Sequence, residues 1–561
     1  MKKTIVLFLV FVGVLLVGAV LLLRGICEQG HPCLDPQAKP IPNWVLYPSE
    51  AMHLIWNSLR GREESAAPAC EDFIRYHPVG YSKPIPHVAI PRHPFMGSNA
   101  GNNMHCDAYM SDSYEARGPL GLNPLVCSRT QGFGGYGTIA YDRAGRLVTV
   151  YSNARAFQLE LMDPYTLEEL ASYDLPPRPW YFPIQGVMPW EYIGAGMYFY
   201  LDQQDCAVVP TTDNTIQVIQ VPGPAGGGDF EGVREYDLSG HVVPLSRPKQ
   251  DSVAWVLPEW SGEYYWYATT EGMVGTVRVD SGAVHKMRLE GEIIENSFAV
   301  GEDGVFILSD HALYRFRRDG NGNVMTDWRI EYERGTRKKP GHITRGSGTS
   351  VTLMGGLDGL VAMTDNAEPR INLVFVRRSD GAPVCRVPLF EEAKSGTDIS
   401  VVGFEHADQN GQGTGVYSVL VENNWGHHRF PRSRPEPGLT RVDLTRHPDD
   451  TYTCEEIWLS QEKGIGVFKM SLANGLVYMY WRSESCPITR WYFTAVDFRS
   501  GETVYKKHTG TGLGYNNWAG ALFIHPDGGI AYSTTIFGLV MIRDGDRQPV
   551  GKAEEPSFST F

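Results

Sequence analysis

Pairs of polar residues recur at the ends of apolar, strand-like runs along most of this sequence. Eight such pairs follow residue 135: Ser152-Asn153, Asp213-Asn214, Thr270-Glu271, Asp310-His311, Asp365-Asn366, Asn423-Asn424, Ser483-Glu484 and Thr534-Thr535. Carboxylate and amide oxygens are the ligands that a hard cation such as Ca²⁺ prefers. We therefore predict a metal site formed by Asp365, Asn423, Asn424 and Glu484. The alternative for each residue is ordinary turn chemistry, because short polar side chains also bond their own backbone.

The motif after residue 422 adds groups that could transfer protons or stack on a ligand. It reads Asn423-Asn-Trp-Gly-His-His428 and opens a Pro-rich linker that is longer than the matching connections elsewhere. Histidine titrates near neutral pH, so we assign proton transfer to His427, with the carboxylate of Asp310 as the alternative proton acceptor. Trp425, and Trp518 after a second Asn-Asn pair, are predicted to stack on a planar cofactor or, alternatively, to plug a channel.

A second marker indicates which fold would bring these polar pairs together. An Asp-centred turn follows each pair, at Asp163, Asp237, Asp280, Asp319, Asp380, Asp443, Asp497 and Asp544. Two markers that interleave in this way predict a radial β repeat, in which equivalent strand ends lie on one face. We therefore predict an all-β fold, a single eight-bladed β-propeller, whose polar pairs converge round an axial funnel.

The blade boundaries follow from the apolar runs and the turn dipeptides between them. We place the propeller at residues 135–545, with clear strands at Arg146–Tyr151, Val305–Leu308 and Ile530–Ser533 next to Gly-containing turns. The repeat round Asp213 is the least regular, which leaves seven blades as the alternative. The last repeat is one strand short, so we expect a strand from the N-terminal region to complete it and to remove a free edge.

The first 24 residues predict a membrane anchor. Lysines at positions 2 and 3 precede an uncharged apolar run from Thr4 to Leu23, and such a run rises about 30 Å as a helix, enough to cross a bilayer core. The lysines favour a cytoplasmic N-terminus, which places the propeller on the periplasmic or extracellular side. The alternative is a cleaved signal peptide, since Val17-Gly18-Ala19 offers small residues for cleavage.

Two further segments flank the predicted propeller. Residues 25–134 are predicted to form a Pro-rich stalk, a short helix between Ser49 and Gly61, and an ordered loop, while residues 546–561 form a C-terminal tail. The loop, from Gly97 to Gly121, is polar and aromatic without a clear period. Loops held by a rigid scaffold often carry function, and anchoring by a disulfide at Cys106 is the alternative.

The composition excludes several classes of protein. The chain has 50 basic and 64 acidic residues and a formal charge of −14, which argues against nucleic acid as a partner because such a surface repels phosphates. Nine cysteines lie beyond the apolar run, so export would permit disulfides. The sequence contains no Walker loop, His-Glu-x-x-His or Gly-x-Ser-x-Gly motif. The glycines at 132–137 match a dinucleotide fingerprint, but a strand-like run follows them where that fold needs a helix.

One stretch of the chain carries a family resemblance. The run Thr494-Ala-Val-Asp-Phe-Arg-Ser-Gly-Glu-Thr-Val-Tyr505 resembles the blade-docking repeat of the quinoprotein alcohol dehydrogenase-like superfamily, with Tyr505 where that family has Trp. Tyr236–Gly240 and Val279–Gly282 are partial copies. The resemblance implies an exported eight-bladed propeller, with Ca²⁺ and pyrroloquinoline quinone on its axis. The chain has neither the adjacent Cys-Cys pair nor the haem motif of that family, so of the two cofactors we retain Ca²⁺ and disfavour the quinone.

Two functions are consistent with these features. The first is a membrane-anchored exported enzyme that acts on a small organic molecule in the axial funnel, by quinoprotein-like oxidation or by metal-assisted hydrolysis. The second is a non-catalytic propeller that scaffolds a protein complex at the cell envelope. A polar, open funnel favours the enzyme, whereas a plugged funnel favours the scaffold.

Overall fold

The structure is a computed structural model of the 561-residue chain. It describes residues 33, 39–41, 70–132, 134–178, 196–223, 228–242, 251–340, 342–427, 435–483, 486, 488–517 and 519–545. The predicted anchor, the predicted helix at 49–61 and the C-terminal tail lie outside these ranges. Within them, no helix is long and apolar enough to span a bilayer, and a 3₁₀ turn is formed by Leu513–Tyr515.

Eight β-sheets form the blades of a β-propeller, which confirms the predicted fold class and blade number. We number the blades 1–8 in chain order and label their strands a–d from the axis outward. Blade 1 comprises Gly134–Tyr141, Leu147–Asn153, Phe157–Met162 and Glu169–Leu175, and blade 2 comprises Tyr200–Leu201, Cys206–Pro210, Thr215–Gln220 and Glu231–Asp237. Blade 3 comprises Val253–Pro258, Tyr264–Thr269, Met273–Arg278 and Val284–Arg288, and blade 4 comprises Ala299–Gly301, Gly304–Leu308, Ala312–Arg318 and Val324–Glu331. Blade 5 comprises Thr352–Met354, Leu360–Thr364, Asn372–Arg377 and Pro383–Pro388, and blade 6 comprises Val402–Ala407, Gly413–Glu422, Leu439–Arg446 and Tyr452–Ser460. Blade 7 comprises Lys469–Ser471, Leu476–Arg482, Arg490–Asp497 and Thr503–Thr511.

Blade 8 closes the ring with strands from both ends of the propeller. Its inner three strands are Leu522–Ile524, Ile530–Thr535 and Gly538–Arg543, and its strand d is Leu125–Arg129 from the N-terminal region. Leu125 pairs with Arg543 and Arg129 with Leu539 in an antiparallel register. The predicted closure by an N-terminal strand is thereby confirmed.

Two short strands extend blade 7 at both edges. Phe73–Arg75 pairs antiparallel with the outer strand Thr503–Thr511, and Ser113–Tyr114 pairs parallel with the inner strand Lys469–Ser471. The chain before the first blade therefore contacts the propeller both at its rim and at its axis.

The apolar pattern of each strand follows its distance from the axis. Strand a of blade 3, Val253–Pro258, is buried at every residue, because neighbouring blades cover both of its faces. Strand d of blade 5, Pro383–Pro388, has no fully buried residue and carries the polar side chains of an outer edge. Continuous apolar runs therefore mark inner strands, and mixed runs mark outer ones.

The Asp-centred turns are confirmed in part. Asp163, Asp280, Asp319, Asp380 and Asp497 begin the turns between strands c and d of their blades. Three others have different positions: Asp237 ends strand d of blade 2, Asp544 follows strand c of blade 8, and Asp443 lies within strand c of blade 6. Asp443 pairs with Arg441 on its own strand at 2.6 Å. This aspartate therefore forms an ion pair within a strand and does not begin a turn.

Aromatic side chains on strand d dock onto glycines in the next blade's turn. Trp328 of blade 4 covers Gly381 of blade 5, and Trp458 of blade 6 covers Gly501 of blade 7, where an added Cβ would lie 2.9 and 2.7 Å from the respective indole rings. Both glycines have a positive φ, 71° and 73°, which other residues adopt at a cost. The indole nitrogen of Trp458 also donates to the Phe498 carbonyl at 2.9 Å.

Three disulfides link parts of the chain that are distant in sequence. They join Cys33 to Cys127, Cys70 to Cys486, and Cys385 to Cys454. The last of these connects the outer strands of blades 5 and 6. Cys106 and Cys206 are free and buried, so the predicted disulfide anchor at Cys106 is wrong.

Candidate functional site

The axis of the propeller is occupied by the chain's own residues 97–114, which we call the axial plug. The inner strands of six blades donate backbone hydrogen bonds to it. Their donor–acceptor pairs are Tyr141 N to Gly101 O, Leu201 N to Asn102 O, Val300 N to Ala108 O, Leu353 N to Tyr109 O, Gly403 N to Ser111 O and Met470 N to Asp112 O, at 2.8 to 3.1 Å. The polar, aromatic loop that the sequence marked as unusual therefore fills the central channel of the propeller.

A buried network of charged and polar groups connects the plug to blades 5, 6 and 7. Lys469 Nζ and Ser400 Oγ donate to the two oxygens of Asp112, and His105 Nδ1 lies 3.0 Å from Asp112 Oδ2. Burial alone would raise the pKa of Asp112, but Lys469 and His105 outweigh it and the pKa is lowered. The carboxylate is thus held as a charged centre inside the axis.

The same network contains a hydroxyl, an imidazole and a carboxylate in series. Ser350 Oγ lies 3.2 Å from His105 Nε2, and His105 Nδ1 faces Asp112 on its other side. This order matches the connectivity of a hydrolase triad. Here Ser350 is only 1% exposed and His105 only 2%, and the second oxygen of Asp112 is engaged by Lys469.

We call the series Ser350–His105–Asp112 the relay. The space beside the relay is too small for an organic substrate. A cavity of about 10 Å³ lies between the plug and blades 2 to 4, lined by residues that include Asn103, His105, Tyr198, Trp255 and Ser297. That volume holds about one water molecule. A tricyclic quinone does not fit in it, so we derive no chemistry through pyrroloquinoline quinone.

A larger surface groove of about 370 Å³ lies at the rim of blade 7, far from the axis. Its charged groups already have partners. Lys507 Nζ is paired with Asp72, and Arg75 donates to the carbonyls of Leu120 and Gly121. The groove is therefore large enough for a small molecule, but the charged groups that line it are already paired and do not favour it as a reaction site.

The seven polar pairs that the structure describes in full lie on one face, but they do not converge on the axis as predicted. Each of these pairs occupies the end of strand b or the turn between strands b and c, which are the second and third strands from the axis. Strand a and the axial plug stand between these turns and the centre. We call this side of the propeller, which also carries the links between successive blades, the connection face.

The residues predicted to transfer protons or to bind metal in blades 4 and 5 are bonded to their own turns and to neighbouring segments of the chain. Asp310 accepts from Ile293 N and from His311 Nδ1, both at 2.8 Å, and its other oxygen pairs with Arg334 Nη2 at 2.8 Å. Asp365 accepts from Ala367 N, Asn372 N, Asn372 Nδ2 and Arg386 Nη2 at 2.7 to 3.1 Å. These oxygens are directed at protein donors.

The Asn423–His427 motif is likewise folded on itself and on the link between blades 5 and 6. Asn423 Oδ1 accepts from Gly396 N and Trp425 N, and its Nδ2 donates to Lys394 O. Asn424 Oδ1 accepts from Thr397 Oγ1 at 2.9 Å, and its Nδ2 donates to Glu422 Oε1 at 2.9 Å. His427 is buried, with Nδ1 3.6 Å from Asp398 Oδ2.

The structure does not assemble the predicted metal site from its described members. Trp425 is half-buried beside Gly396, while Glu484 and Trp518 lie outside the described residues. Across the described ranges, no group of three His, Cys, Asp or Glu side chains could hold a metal ion. Because the oxygens of Asp365, Asn423 and Asn424 already accept protein hydrogen bonds, they do not fit a Ca²⁺ site as they stand.

Sequence reasoning missed two buried carboxylates on the connection face, Glu422 and Glu295. Burial raises the pKa of Glu422 well above its ordinary value, and the charge of Asp398 adds to the effect. Burial also raises the pKa of Glu295 to about 7, with further contributions from Asp398 and Asp310 that a Thr344 hydrogen bond opposes. No local motif marks these residues, since each is an isolated acid next to an apolar run.

Comparisons with known proteins add little beyond this geometry. No protein-family model matches the chain. An uncharacterized protein of Archaeoglobus fulgidus is 25% identical over 305 residues, which cover 50% of this chain and 59% of the relative. The match therefore spans little more than half of that relative's length.

Three solved structures illustrate the structural likeness. The β-propeller domain of Myceliophteria thermophila Cps50 (Swd1) shares 9% identity at a TM-score of 0.35, covering 60% of this chain and 92% of that one. A functionally unknown protein from Desulfotomaculum acetoxidans shares 11% identity at a TM-score of 0.35, covering 63% of this chain and 94% of that one. Moraxella catarrhalis BamB shares 10% identity at a TM-score of 0.31, covering 62% of this chain and 94% of that one. Likenesses this distant say nothing about activity, and the propeller assignment rests on the sheet topology itself.

Proposed function

We propose that this chain is a non-catalytic, exported β-propeller that scaffolds a protein complex through its outer surface. The observation that carries the proposal is the axial plug, which takes hydrogen bonds from the inner strands of six blades and leaves a cavity of about 10 Å³. Propellers that act on small molecules need an accessible pocket on or near the axis. A filled axis leaves the faces and the rim as the surfaces available to partners.

The Ser350–His105–Asp112 relay fits a structural role better than hydrolysis. A nucleophilic serine has to meet a carbonyl carbon beside donors for the developing oxyanion. Ser350 is enclosed by the plug and by blade 5, and Lys469 neutralises the carboxylate that would orient the base. In this reading the relay fixes the plug to the blades.

Export and anchoring belong to the same proposal. Disulfides persist in oxidising compartments and are rare in the cytosol, and the described residues form three of them. Together with the apolar run from Thr4 to Leu23, they support a propeller held at the cell envelope by residues 1–24, on its periplasmic or extracellular side. The stalk, propeller and tail boundaries predicted from the sequence are part of this proposal.

Kinship with quinoprotein-like propellers is a narrower proposal. The Trp328–Gly381 and Trp458–Gly501 contacts have the aromatic-on-glycine form that the docking repeat implies. Tyr505, which stands at the family's Trp position, donates instead to the Pro119 carbonyl at 2.7 Å. We propose that the blades share this repeat and that the cofactor chemistry of the family does not accompany it.

Photocrosslinking of the full chain in an exporting host tests the scaffold. A photoreactive phenylalanine analogue is placed at Leu170, Val233, Met325 or Ile457, which are exposed apolar positions on outer strands. We expect discrete adducts of defined mass from some of these positions after illumination of intact cells. The Ser350→Ala variant should give the same adducts, because the relay has no part in binding partners.

The contrary outcome is equally specific. If no position yields an adduct, and if the purified chain hydrolyses a panel of esters in a way that Ser350→Ala abolishes, the scaffold is wrong and the relay is an active site. Retention of the fold in the variant is checked by its far-ultraviolet circular dichroism.

A further inference from the structure

A long connection between blades 4 and 5 places a cluster of cations on the connection face. Residues 332–351 join Glu331 to Thr352, whereas residues 461–468 suffice between blades 6 and 7. Within residues 334–345 the sequence has five basic residues and no acidic one, in a chain whose acids outnumber its bases. Length beyond what the crossing needs indicates that a connection is used for something else.

The connection is held in place by contacts at several points along it. Arg334 Nη2 pairs with Asp310 Oδ2 at 2.8 Å, Lys339 Nζ donates to Ala367 O at 2.6 Å, and Gly426 N donates to Pro340 O at 2.9 Å. Asp310, which the sequence suggested as a proton acceptor, therefore acts as an anchor. A segment fixed in this way presents its other side chains without a large ordering cost on binding.

Four other side chains of the connection face solvent. We call Arg337, Lys338, Ile343 and Arg345 the basic face. The Arg337 side chain is 65% exposed and pairs with Glu368 at 3.1 Å, Ile343 is 55% exposed, and Lys338 and Arg345 are exposed. Arg345 Nη2 donates to Gly335 O at 3.2 Å. Within the described part of the chain, no carboxylate lies within 4.0 Å of the Lys338 or Arg345 nitrogens as an ion-pair partner.

The surroundings of the basic face select among anionic partners. Two exposed acids adjoin it, since Glu368 pairs with Arg337 at 3.1 Å and Glu333 belongs to the same connection. The whole chain carries a formal charge of −14. A broad anionic surface such as a bilayer would meet these acids as well as the cations and would be repelled. A narrow polypeptide segment can contact Lys338 and Arg345 alone, and an apolar residue in it would cover Ile343.

We propose that the basic face docks an acidic segment of a partner protein that carries an apolar side chain beside its carboxylates. Carboxylates of that segment pair with Lys338 and Arg345, and its apolar residue packs on Ile343. The proposal names a partner chemistry for the scaffold and so rests on the function proposed above, without requiring that other rim contacts use the same surface.

Binding of a defined probe tests the basic face directly. The purified full chain is titrated against a short, fluorescently labelled peptide in which Glu alternates with Leu, and anisotropy is recorded. We expect saturable binding that Lys338→Glu with Arg345→Glu weakens by about tenfold or more. Raising NaCl from about 50 to about 500 mM should weaken wild-type binding as well.

Matched controls separate the basic face from charge in general. Arg92→Glu with Arg143→Glu removes two cations that are also exposed, 76% and 67% for their side chains, but that lie away from this connection, and it should leave the affinity within about twofold. Ile343→Ser should weaken binding of the Glu–Leu peptide while leaving a poly-Glu peptide unaffected, because only the apolar contact is lost.

Three results would overturn the proposal. They are absence of peptide binding to the wild-type chain, equal binding by the Lys338→Glu/Arg345→Glu variant, and binding of anionic phospholipid vesicles in preference to the peptide. The same cells can carry the Lys338→Glu/Arg345→Glu variant. If crosslinks from the rim positions persist in that variant, any of these three results would overturn the proposal for the basic face and leave the scaffold proposal intact.

Discussion

The axial plug and the basic face are both rich in charge, but their charges are used in opposite ways. In the plug, Asp112 is enclosed by Lys469, His105 and Ser400, so that its charge is paired inside the molecule. On the basic face, Lys338 and Arg345 point to solvent from a connection that other contacts hold in place. The first arrangement stabilises the fold, and we propose that the second is available to a partner.

This difference shows why polar residue types alone misplace function. Asp310, Asp365, Asn423 and Asn424 have the right atoms for a metal site, but their atoms are consumed by neighbouring donors. A buried polar group has to be satisfied somewhere, and these are satisfied by their own turns and by the adjoining connections between blades. Groups that can bind a partner are those whose hydrogen-bonding capacity the fold does not use.

The largest effect is expected when the enclosed charge in the plug loses its partner. Lys469→Met leaves Asp112 buried without its cation, which should lower the free energy of unfolding by about 3–5 kcal/mol. Adding Asp112→Asn should restore part of that loss, since the uncompensated charge is then removed. Urea denaturation followed by tryptophan fluorescence measures both variants.

A surface pair provides the matched control for this prediction. Arg377 and Asp380 lie 3.1 Å apart in an exposed turn, and Arg377→Gln should leave the urea midpoint unchanged within error, because exposed ion pairs contribute little. Equal losses from Lys469→Met and Arg377→Gln would show that the plug is no more than a surface loop, and the contrast between the two regions would fail.

The next effect concerns Glu295, the buried acid beneath the basic face. Its pKa is raised to about 7 by burial, so the folded protein keeps the proton that the unfolded chain releases near its ordinary pKa. Stability from this group is present below pH about 4.5 and is lost as the pH rises to about 7, by ~2–4 kcal/mol. Glu295→Gln removes that slope. Stability curves of the two proteins that run parallel between these pH values would contradict the assignment.

Much of the fold was predictable because its signals are local. The strand at 147–153 and the strand at 530–535 were visible as apolar runs beside Gly-containing turns. The strand pattern also predicted that blade 8 needs an N-terminal strand, which Leu125–Arg129 supplies. Edge closure is a general requirement of radial sheets, so it could be inferred without knowing any contact.

The site could not be predicted in the same way because its contacts are not local. Asp112 and Lys469 are 357 positions apart in sequence, and neither residue carries a motif. The sequence did single out the segment that contains Asp112 as an unusual polar loop, but nothing in its composition indicates the axis rather than the rim. The polar turns were misplaced by the assumption that strand ends on one face also meet at the centre.

A smaller effect is expected from the hydroxyl of the buried relay. Ser350→Ala removes the contact with His105 Nε2 and should cost about 0.5–1.5 kcal/mol, the usual net value of one hydrogen bond. Ser347→Ala is the control, since Ser347 Oγ contacts Thr349 Oγ1 at 2.9 Å in the same connection without reaching the relay. Both variants should show the same hydrolytic background as the wild type, and a selective loss in Ser350→Ala would move the relay from structure to catalysis.

The smallest expected effect on stability comes from the basic face, where the comparison between the two regions is sharpest. Lys338→Glu with Arg345→Glu changes exposed side chains without a carboxylate partner among the described residues, so the urea midpoint should stay at the wild-type value while peptide affinity falls. Arg334→Gln is the informative counterpart, because it breaks the 2.8 Å pair with Asp310 that holds the connection. That variant should lower both stability and affinity, since the cations then lose their fixed position. If the Lys338→Glu/Arg345→Glu variant were destabilised as strongly as Lys469→Met, its cations would belong to the same internal network as the plug, and no part of the connection would remain for a partner.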